Sequence, residues 1–311
     1  MSLTLGVDVG GTKIAAGVVG SDGRIFDELR RVTPATDAEA LNDAVVEVTQ
    51  ELMARHRVTA VGISAAGFVD ATCSTVMFAP NLAWRDERLS DTIRRRVGLP
   101  VVVENDANAA AWGEFQFGAG ADVDDLLLVA VGTGIGGGVV IEGMLLRGSF
   151  GVAAEIGHLR VVPDGLPCGC GRRGCWEQYA SGRALVRSAR EAVAAGRRFT
   201  RVPDLHEQVL DGPSITRAAQ FGDPLAVELL VELGHRLGQG IASLAAVLDP
   251  GVVVIGGGVA EAAELVTRPI QEAFVEHLPA GEHRPHLELR VATLGNDAAI
   301  IGVADLARRH G

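Results

Sequence analysis

The chain of 311 residues lacks the segments that direct proteins into or across membranes. It has no apolar run of 18 residues, so no transmembrane helix is predicted. Near its first residues there is no basic stretch followed by an apolar leader, because Asp8 interrupts the apolar residues there. We therefore predict no signal peptide and expect a cytoplasmic protein.

Positive charge is also in short supply. The 28 Lys and Arg residues face 39 Asp and Glu residues, which leaves a formal net charge of -11. Such an acidic surface repels phosphate backbones and anionic lipid, so we expect neither a nucleic acid nor a membrane as a partner. Lysine is nearly absent, since Lys13 is the only one. Its place in a glycine-rich turn indicates a site for a compact ammonium group, with survival by chance as the alternative.

Cysteine is scarce as well, with four residues, whereas glycine is abundant, with 40. A chain of this length buries enough apolar surface to fold without disulfides. Glycine in clusters indicates tight turns, or backbone placed close to a ligand.

The hydrophobic pattern predicts an α/β protein built from an internal repeat. Strands are predicted at 3–9, 14–19, 24–30, 58–63, 101–104, 126–131, 139–142 and 252–255, and helices at 37–57, 89–97, 107–117 and 299–309, with 183–248 mostly helical. The strand–glycine turn–strand unit near residue 5 recurs near residue 127, which indicates two α/β domains of similar ancestry. We predict a smaller N-terminal domain, residues 1–106 plus 298–311, and a larger C-terminal domain, residues 107–297.

Three glycine-rich turns are candidates for binding a nucleotide. The first comprises Asp8, Gly10, Gly11, Thr12 and Lys13; the second runs from Gly132 to Gly138 and includes Gly132, Thr133, Gly134, Gly136 and Gly137; the third is Gly256, Gly257 and Gly258. Bare backbone amides can approach a polyphosphate, and Asp8 can hold Mg²⁺ directly or through water. The spacing of a Walker A loop is missing. A plain hairpin is the alternative for the first turn alone, but two such loops can clamp one phosphate chain.

A polar tripeptide, Glu104-Asn105-Asp106, follows the buried strand at 101–104. Open α/β sheets bind their ligands at the carboxyl ends of strands. There a carboxylate can accept a hydroxyl proton during phosphoryl transfer, and Asn105 can bond neighbouring hydroxyls. The alternative is that Asp106 only caps the next helix.

Three thiols and one imidazole lie within 18 residues: His158, Cys168, Cys170 and Cys175. This set suits a tetrahedral zinc ion, and four protein ligands would make the zinc structural rather than catalytic. A redox cluster is the alternative. Glu155 and Glu177 flank the segment and could accept hydrogen bonds from a polyol, although an isolated glutamate is most often a solvated surface residue. Cys73 lies outside the set and is expected to be an ordinary buried thiol.

These motifs, taken in order, resemble the ROK family of repressors, open reading frames and kinases. The resemblance rests on the segments 8–13, 104–108, 132–137, 155–158 and 168–177, and extends from about residue 3 to about residue 306. It is strongest to the actinobacterial sugar kinases of that family. It implies the two-domain, actin-like (ribonuclease H-like) ATPase fold, with the active site in the cleft between domains.

The resemblance also implies an activity and a role for each residue. It implies phosphorylation of glucose by ATP to glucose 6-phosphate, a step of glycolysis, with Asp106 as general base. Sugar contacts are implied for Gly67, Asn105, Asp106, Glu155, His158 and Glu177. ATP phosphates are expected at the first two loops and adenosine near Gly256–Gly258, with Mg²⁺ and a structural Zn²⁺. His158 would ligate zinc through one nitrogen and face sugar through the other.

Other functions stay open at this stage. The same residues recur in kinases of fructose, mannose or N-acetylhexosamines, so they do not identify the hexose. A sugar-responsive regulator without turnover is a second alternative, although Asp8 follows the first residue too closely to leave room for a DNA-binding helix-turn-helix. A homodimer or homotetramer is expected.

Overall fold

The computed structural model describes residues 2–202, 205–206 and 209–310. Met1 and Gly311, which end the predicted N-terminal domain, lie outside that range. The chain divides into two compact units: one comprises Met1–Leu126, Gly138–Ala154 and Thr293–Gly311, and the other Leu127–Gly137 and Glu155–Ala292. The predicted domains instead meet between residues 106 and 107 and between residues 297 and 298, close to the first residues of two helices. That division stays a prediction.

The first unit is built around a five-stranded sheet. Its elements are β1 (Leu3–Val9), β2 (Lys13–Val19), β3 (Ile25–Val32), α1 (Ala38–Arg55), β4 (Val58–Ala65), β5 (Phe68–Val69), β6 (Val76–Phe78), β7 (Arg85–Glu87), α2 (Leu89–Val97), β8 (Val101–Asn105) and α3 (Asp106–Phe117). The sheet order is β3-β2-β1-β4-β8. β1 and β2 are antiparallel, whereas β4 is parallel to both β1 and β8. Parallel strands buried on both faces explain the nearly continuous Val, Ile and Leu runs.

Helix α9 (Ala298–His310) returns to this sheet and supports α3. A Cβ built on Gly62 of β4 would lie 2.0 Å from the carbonyl oxygen of Val303, so only glycine permits this approach. The same holds between the two helices, where a Cβ on Gly302 would lie 1.8 Å from the carbonyl oxygen of Ala109. Close packing therefore fixes α3, the helix whose first residue is Asp106.

A second five-stranded sheet has the same strand arrangement as the first. The elements that follow α3 are β9 (Leu126–Val131), β10 (Ile135–Ile141), β11 (Met144–Leu145), α4 (Glu177–Ala180), α5 (Gly182–Ala194), α6 (Gly212–Gln220), α7 (Pro224–Leu248), β12 (Val252–Gly256), α8 (Glu264–His277) and β13 (Glu288–Val291). The order is β11-β10-β9-β12-β13. As in the first sheet, the first two strands of the order, β11 and β10, are antiparallel and the last two, β12 and β13, are parallel. The predicted repeat is therefore seen in the strand order.

The structure corrects the prediction for the second glycine-rich turn. That turn was expected to run from Gly132 to Gly138, but β10 already begins at Ile135, so only residues 132–134 form the loop. Gly138 serves packing instead, because a Cβ there would lie 2.4 Å from the Cβ of Ala111 in α3.

Several short strands and one longer helix were not predicted. Strands β5, β6 and β7 form a separate antiparallel sheet of two- and three-residue strands, and β13 and α8 also went unpredicted. Among the helices in the described ranges, none is both long enough and apolar enough to span a bilayer.

Candidate active site and metal cluster

The first glycine-rich turn joins β1 to β2. The Gly10 N–H donates to the Lys13 carbonyl over 3.0 Å, and the Thr33 hydroxyl donates to the Gly10 carbonyl over 2.8 Å. Thr12 and Lys13 are exposed. Neither Gly10 nor Gly11 has a positive φ, so glycine is not required there by the backbone conformation. Hydrogen bonds to Lys13 and Thr33 thus hold the turn at Gly10, and the two glycines leave its backbone without side chains.

Asp8 lies at the base of this turn. Its carboxylate accepts a hydrogen bond of 2.6 Å from the Ser64 hydroxyl of β4. Burial raises the pKa of the Asp8 carboxyl, although Ser64 and the Lys13 charge both act to lower it. The carboxylate is therefore in a place where an added cation is favourable. Sequence reasoning missed Ser64, which lies 56 residues away and carries no motif.

The second glycine-rich loop, residues 132–134, is tied to the start of α5. The Gly182 N–H donates to the Gly132 carbonyl over 2.8 Å. A Cβ built on Gly134 would lie 2.4 Å from the Glu177 Oε2, so glycine lets the Glu177 carboxylate approach this loop. Gly136 and Gly137 belong to β10 and not to the loop.

A cavity of about 520 Å³ opens beside this loop, within the second unit. Gly132, Thr133 and Gly258 line it, which joins two of the predicted nucleotide motifs. Gly256 ends β12 and Gly257 has φ +80°, with a built Cβ only 2.4 Å from the Val131 carbonyl oxygen. Gly257 is therefore needed by the fold, whereas Gly258 has no described atom within 4 Å of a built Cβ.

Sequence reasoning missed three polar residues of the same cavity. Arg183 lines it from the first turn of α5, Asp211 from the position that caps α6, and Thr216 from within α6. Asp211 also begins α6 as part of a capping box with Ser214, and this sequence signal indicates a helix start rather than a ligand site.

Asp106 stands at the start of α3, but the residue that caps the helix is Asn105. The Asn105 Oδ1 accepts from the Asn108 N–H over 3.0 Å. The Asn105 Nδ2 donates to the Gly67 carbonyl over 3.1 Å and to the Asp106 Oδ1 over 3.2 Å. The Ala107 N–H also donates to Asp106. Three predicted residues, Gly67, Asn105 and Asp106, are thus brought together, and capping does not account for Asp106.

Behind this group lies a buried ion pair that the sequence did not reveal. Glu104 is 2% exposed, and its Oε2 accepts from the Arg147 Nε over 2.7 Å. Cys73 lies 3.9 Å from the same oxygen. Burial and the Glu104 charge raise the pKa of Cys73 to about 11, so Cys73 is a neutral thiol.

The four predicted zinc ligands form one cluster. The Nδ1 of His158 and the sulfurs of Cys168, Cys170 and Cys175 belong to a group whose ligand atoms all lie within 4.8 Å of one another. The cysteines form no disulfide. Cys168 and Cys175 are buried while Cys170 is exposed. Three thiols and an imidazole at this separation fit a single tetrahedral zinc ion.

Trp176 follows the last cysteine of the metal loop, residues 158–175, and packs against the long helix α7. Its side chain is 1% exposed and its Nε1 donates to the Arg236 carbonyl over 2.9 Å. A Cβ on Gly240 would lie 2.1 Å from the indole ring, so the helix needs glycine at that position. This anchor was not predicted, since Trp176 and Gly240 are far apart in the chain.

Glu155 and Glu177 lie near the two ring nitrogens of His158. The His158 Nε2 lies 4.0 Å from the Glu155 Oε2, and the Nδ1 lies 3.9 Å from the Glu177 Oε1. Burial raises the pKa of Glu155, and Glu177 adds to this while His158 opposes it. Two carboxylates and an imidazole that face one another offer several hydrogen-bond acceptors to a polyhydroxyl ligand.

Comparison with known proteins identifies the family to which the chain belongs. Residues 4–310 match the model of the ROK family. The chain is 49% identical over 312 residues to a glucokinase of Streptomyces coelicolor, covering 99% of this chain and 98% of that one. It is 36% identical over 307 residues to an N-acetylmannosamine kinase of Escherichia coli O157:H7, covering 98% of each.

Among solved structures, a ROK family glucokinase from Streptomyces griseus in complex with glucose and AMPPNP superimposes with a TM-score of 0.90. The two chains are 52% identical, with 99% of this chain and 100% of that chain covered. The predicted α/β, actin-like ATPase fold is confirmed. Because the family model matches nearly the whole length of the chain and a relative is 49% identical to it, the chain belongs to the ROK family.

Proposed function

We propose that the chain transfers the γ-phosphoryl group of ATP to the 6-hydroxyl of glucose, giving glucose 6-phosphate and ADP. The observation that carries this is the full-length likeness to glucokinases, one of which was solved with glucose and an ATP analogue. The residues of every motif expected for such an enzyme are present and in order.

Asp106 is the proposed general base. Asp106 follows the end of a buried strand and Asn105 provides the helix cap, which supports a role for the Asp106 carboxylate as acceptor of the hydroxyl proton of the sugar. The hydroxyl oxygen then bonds to phosphorus as the bond to the leaving ADP breaks. Phosphoryl transfer depends mainly on positioning and on charge, so the bonds from Asn105 and Ala107 to this carboxylate matter for rate.

Sugar binding is proposed for Gly67, Asn105, Asp106, Glu155, His158 and Glu177. The support is local geometry: Gly67 and Asn105 are hydrogen-bonded to each other, and His158 turns its Nε2 towards Glu155 while its Nδ1 faces Cys168. One histidine can therefore serve the metal and the sugar through different nitrogens, and a ligated imidazole has its second nitrogen fixed in role.

ATP is proposed to bind with its phosphates at residues 10–13 and 132–134 and its adenosine in the cavity beside Gly258. The cavity of about 520 Å³ is large enough for a nucleoside. Gly136, Gly137, Gly256 and Gly257 then support the site from strand and turn positions, and Arg183 at the cavity wall adds a cation that the sequence did not single out.

Asp8 is the proposed residue for Mg²⁺. The donor set fits, because the carboxylate stands beside bare backbone and burial makes its own charge costly without a cation. Bound there, Mg²⁺ supplies positive charge against the phosphate oxygens. Asp8 itself is kept in place by Ser64.

Zinc is the proposed metal of the Cys₃His cluster, with a structural role. His158, Cys168, Cys170 and Cys175 supply all four ligands that a structural site uses, which leaves no open position for chemistry. Its contribution is to hold His158 and the chain that leads to Glu177.

A kinase of an N-acetylhexosamine is the second candidate, because the N-acetylmannosamine kinase of E. coli O157:H7 matches 98% of the chain at 36% identity. ADP release with a panel of hexoses at one concentration separates the two: we expect glucose to give the highest rate. A pure sensor of sugar would release no ADP with any of them. A homodimer or homotetramer stays a prediction, which light scattering tests.

A further inference from the structure

The Glu104 carboxylate connects the catalytic strand end to Arg147. Its Oε1 accepts from the Asn105 N–H over 3.0 Å and from the Asn108 Nδ2 over 3.1 Å. Its Oε2 accepts from the Arg147 Nε over 2.7 Å. One carboxylate therefore holds the backbone of Asn105 with one oxygen while the other oxygen is held by Arg147.

The bonds continue from there to Asp106. Asn108, held by Glu104, donates its N–H to the Asn105 Oδ1, and the Asn105 Nδ2 donates to the Asp106 Oδ1. Every link from Arg147 to Asp106 is a hydrogen bond between named groups of the first unit.

Burial makes Arg147 decisive for this arrangement. Glu104 is 2% exposed and Arg147 is 20% exposed, so the carboxylate depends on the guanidinium for charge compensation. Removing one partner of a buried pair leaves an uncompensated charge, which is strongly destabilising to the local structure. Glu104 would then move towards water, and it would take the Asn105 backbone and Asn108 with it.

We propose that Arg147 is a positioning residue for the phosphoryl transfer, acting through Glu104 to fix Asn105 and Asp106. This inference rests on the proposed function. Arg147 lies in residues 146–154 after β11, outside every motif, and it is assigned no contact with sugar or ATP.

The same unit contains a matched pair for comparison. Arg308 bonds to Asp305 over 2.7 Å, with side chains 17% and 6% exposed. Arg308, like Arg147, has one buried nitrogen without a hydrogen-bond partner among the described residues. The Asp305 carboxylate, however, bonds to Arg309 and to Trp112, in the second turn of α3, rather than to residues 104 and 105 at the end of β8. The two pairs are alike in burial and differ in what they hold.

The experiment compares Arg147→Met with Arg308→Met at a temperature where circular dichroism shows both folded. We expect Arg147→Met to lower kcat for glucose about 10- to 100-fold, the size of effect that a displacement of about 1 Å produces. Its KM for ATP should be unchanged, because Arg147 does not line the nucleotide cavity. Arg308→Met should melt earlier and keep its kcat, and Arg147→Lys should recover part of the lost rate.

Two results would overturn the inference: an unchanged kcat in Arg147→Met, or an equal loss in Arg308→Met. If Arg147→Met does not fold, Arg147→Lys decides, since lysine keeps a positive charge beside Glu104 but lacks the planar guanidinium that bonds to its Oε2. A wild-type kcat in Arg147→Lys then overturns the inference, and a lowered kcat with an unchanged KM for ATP supports it. Absence of glucose phosphorylation by the unmodified chain would instead count against the proposed function.

Discussion

At the scale of single residues, the division of labour between Asn105 and Asp106 is the most informative detail. Asparagine is among the best N-cap residues, and here it accepts the bond from Asn108 that a cap should accept. The alternative interpretation of Asp106 as the helix cap therefore does not hold, because Asn105 has that role. Sequence reasoning placed both residues correctly at the helix start but could not tell which of them caps it.

Asp106→Asn should reduce kcat about 10²- to 10⁴-fold, because the amide keeps the size of the side chain but cannot accept a proton. Glucose affinity should be largely retained. Steady-state kinetics and a direct glucose titration measure the two effects. Asp223→Asn is the control, since Asp223 serves as a helix cap, at the start of α7, and lies outside the proposed site. A variant at 106 that turns over like wild type would leave Asp106 with only a structural role.

Lys13→Arg should bind ATP weakly and turn over more slowly. Lys13 is exposed at the start of β2, beside the bare backbone of Gly10 and Gly11, where a compact ammonium fits better than a planar guanidinium. The KM for ATP and kcat are measured for Lys13→Arg and Lys13→Met. The arginine variant changes the shape of the cation and the methionine variant removes its charge, so the two effects are separated. Equal constants for the arginine variant and wild type would show that the lone lysine survives by chance.

At the scale of elements, most long buried strands and helices were predictable, whereas the strands of two to four residues and the helix α8 were not. β1 and β9 matched their predicted ranges because each is mostly apolar and a glycine turn follows soon after its last residue. β5 has two residues and β13 reads Glu-Leu-Arg-Val, so neither carries a run of that kind. The link from Arg147 to Glu104 spans 43 residues and depends on which chain segments meet, which no local pattern records.

Gly257→Ala should lower stability, whereas Gly258→Ala should weaken ATP binding, although the two residues are adjacent. Gly257 has φ +80° and a built Cβ 2.4 Å from a carbonyl oxygen, so alanine there should cost about 1–3 kcal/mol of stability. Gly258 has open space, so alanine should leave the melting temperature unchanged. It should raise the KM for ATP about tenfold or more, since a methyl group in a filled pocket is worth about 1–3 kcal/mol. Equal KM values in Gly258→Ala and wild type would contradict the proposal that adenosine binds in this cavity.

Loss of zinc should abolish sugar binding before it unfolds the chain. Cys168→Ser, Cys170→Ser and Cys175→Ser should each yield folded protein with about one zinc ion fewer and poor glucose affinity, because the loop no longer holds His158 and Glu177. ATP should still bind. Metal analysis and calorimetry measure these effects, and Cys73→Ser should keep its zinc. A metal-free serine variant that phosphorylates glucose normally would contradict the proposed role.

At the scale of the whole molecule, the two sheets share one strand order although their connections differ greatly. Residues 33–57 suffice to join β3 to β4, whereas residues 146–251 lie between β11 and β12 and include the metal loop. The repeat was therefore detectable only in the two hairpins, where the spacing is similar. Beyond them the long insertion removes the register that a sequence comparison needs.

Ligand binding should stabilise the whole fold by simple linkage. Glucose at 100 times its dissociation constant should add about 2.7 kcal/mol to the free energy of unfolding, and Asp106→Asn should gain as much because linkage counts binding and not turnover. Thermal melts at increasing glucose measure this, with sorbitol at equal concentration as the control for a general solute effect. Identical shifts with both polyols would mean that no specific sugar site exists.

The Trp176 anchor has a consequence for synthesis on the ribosome. All four proposed zinc ligands have been translated once residue 175 is added. The carbonyl that accepts from the indole N–H belongs to Arg236, which follows Trp176 by 60 residues. Chains fold from their N-terminal side as they emerge. The nascent loop therefore meets metal before its tryptophan has a helix to pack against, and zinc supply during translation, rather than after release, should govern how much of the chain matures.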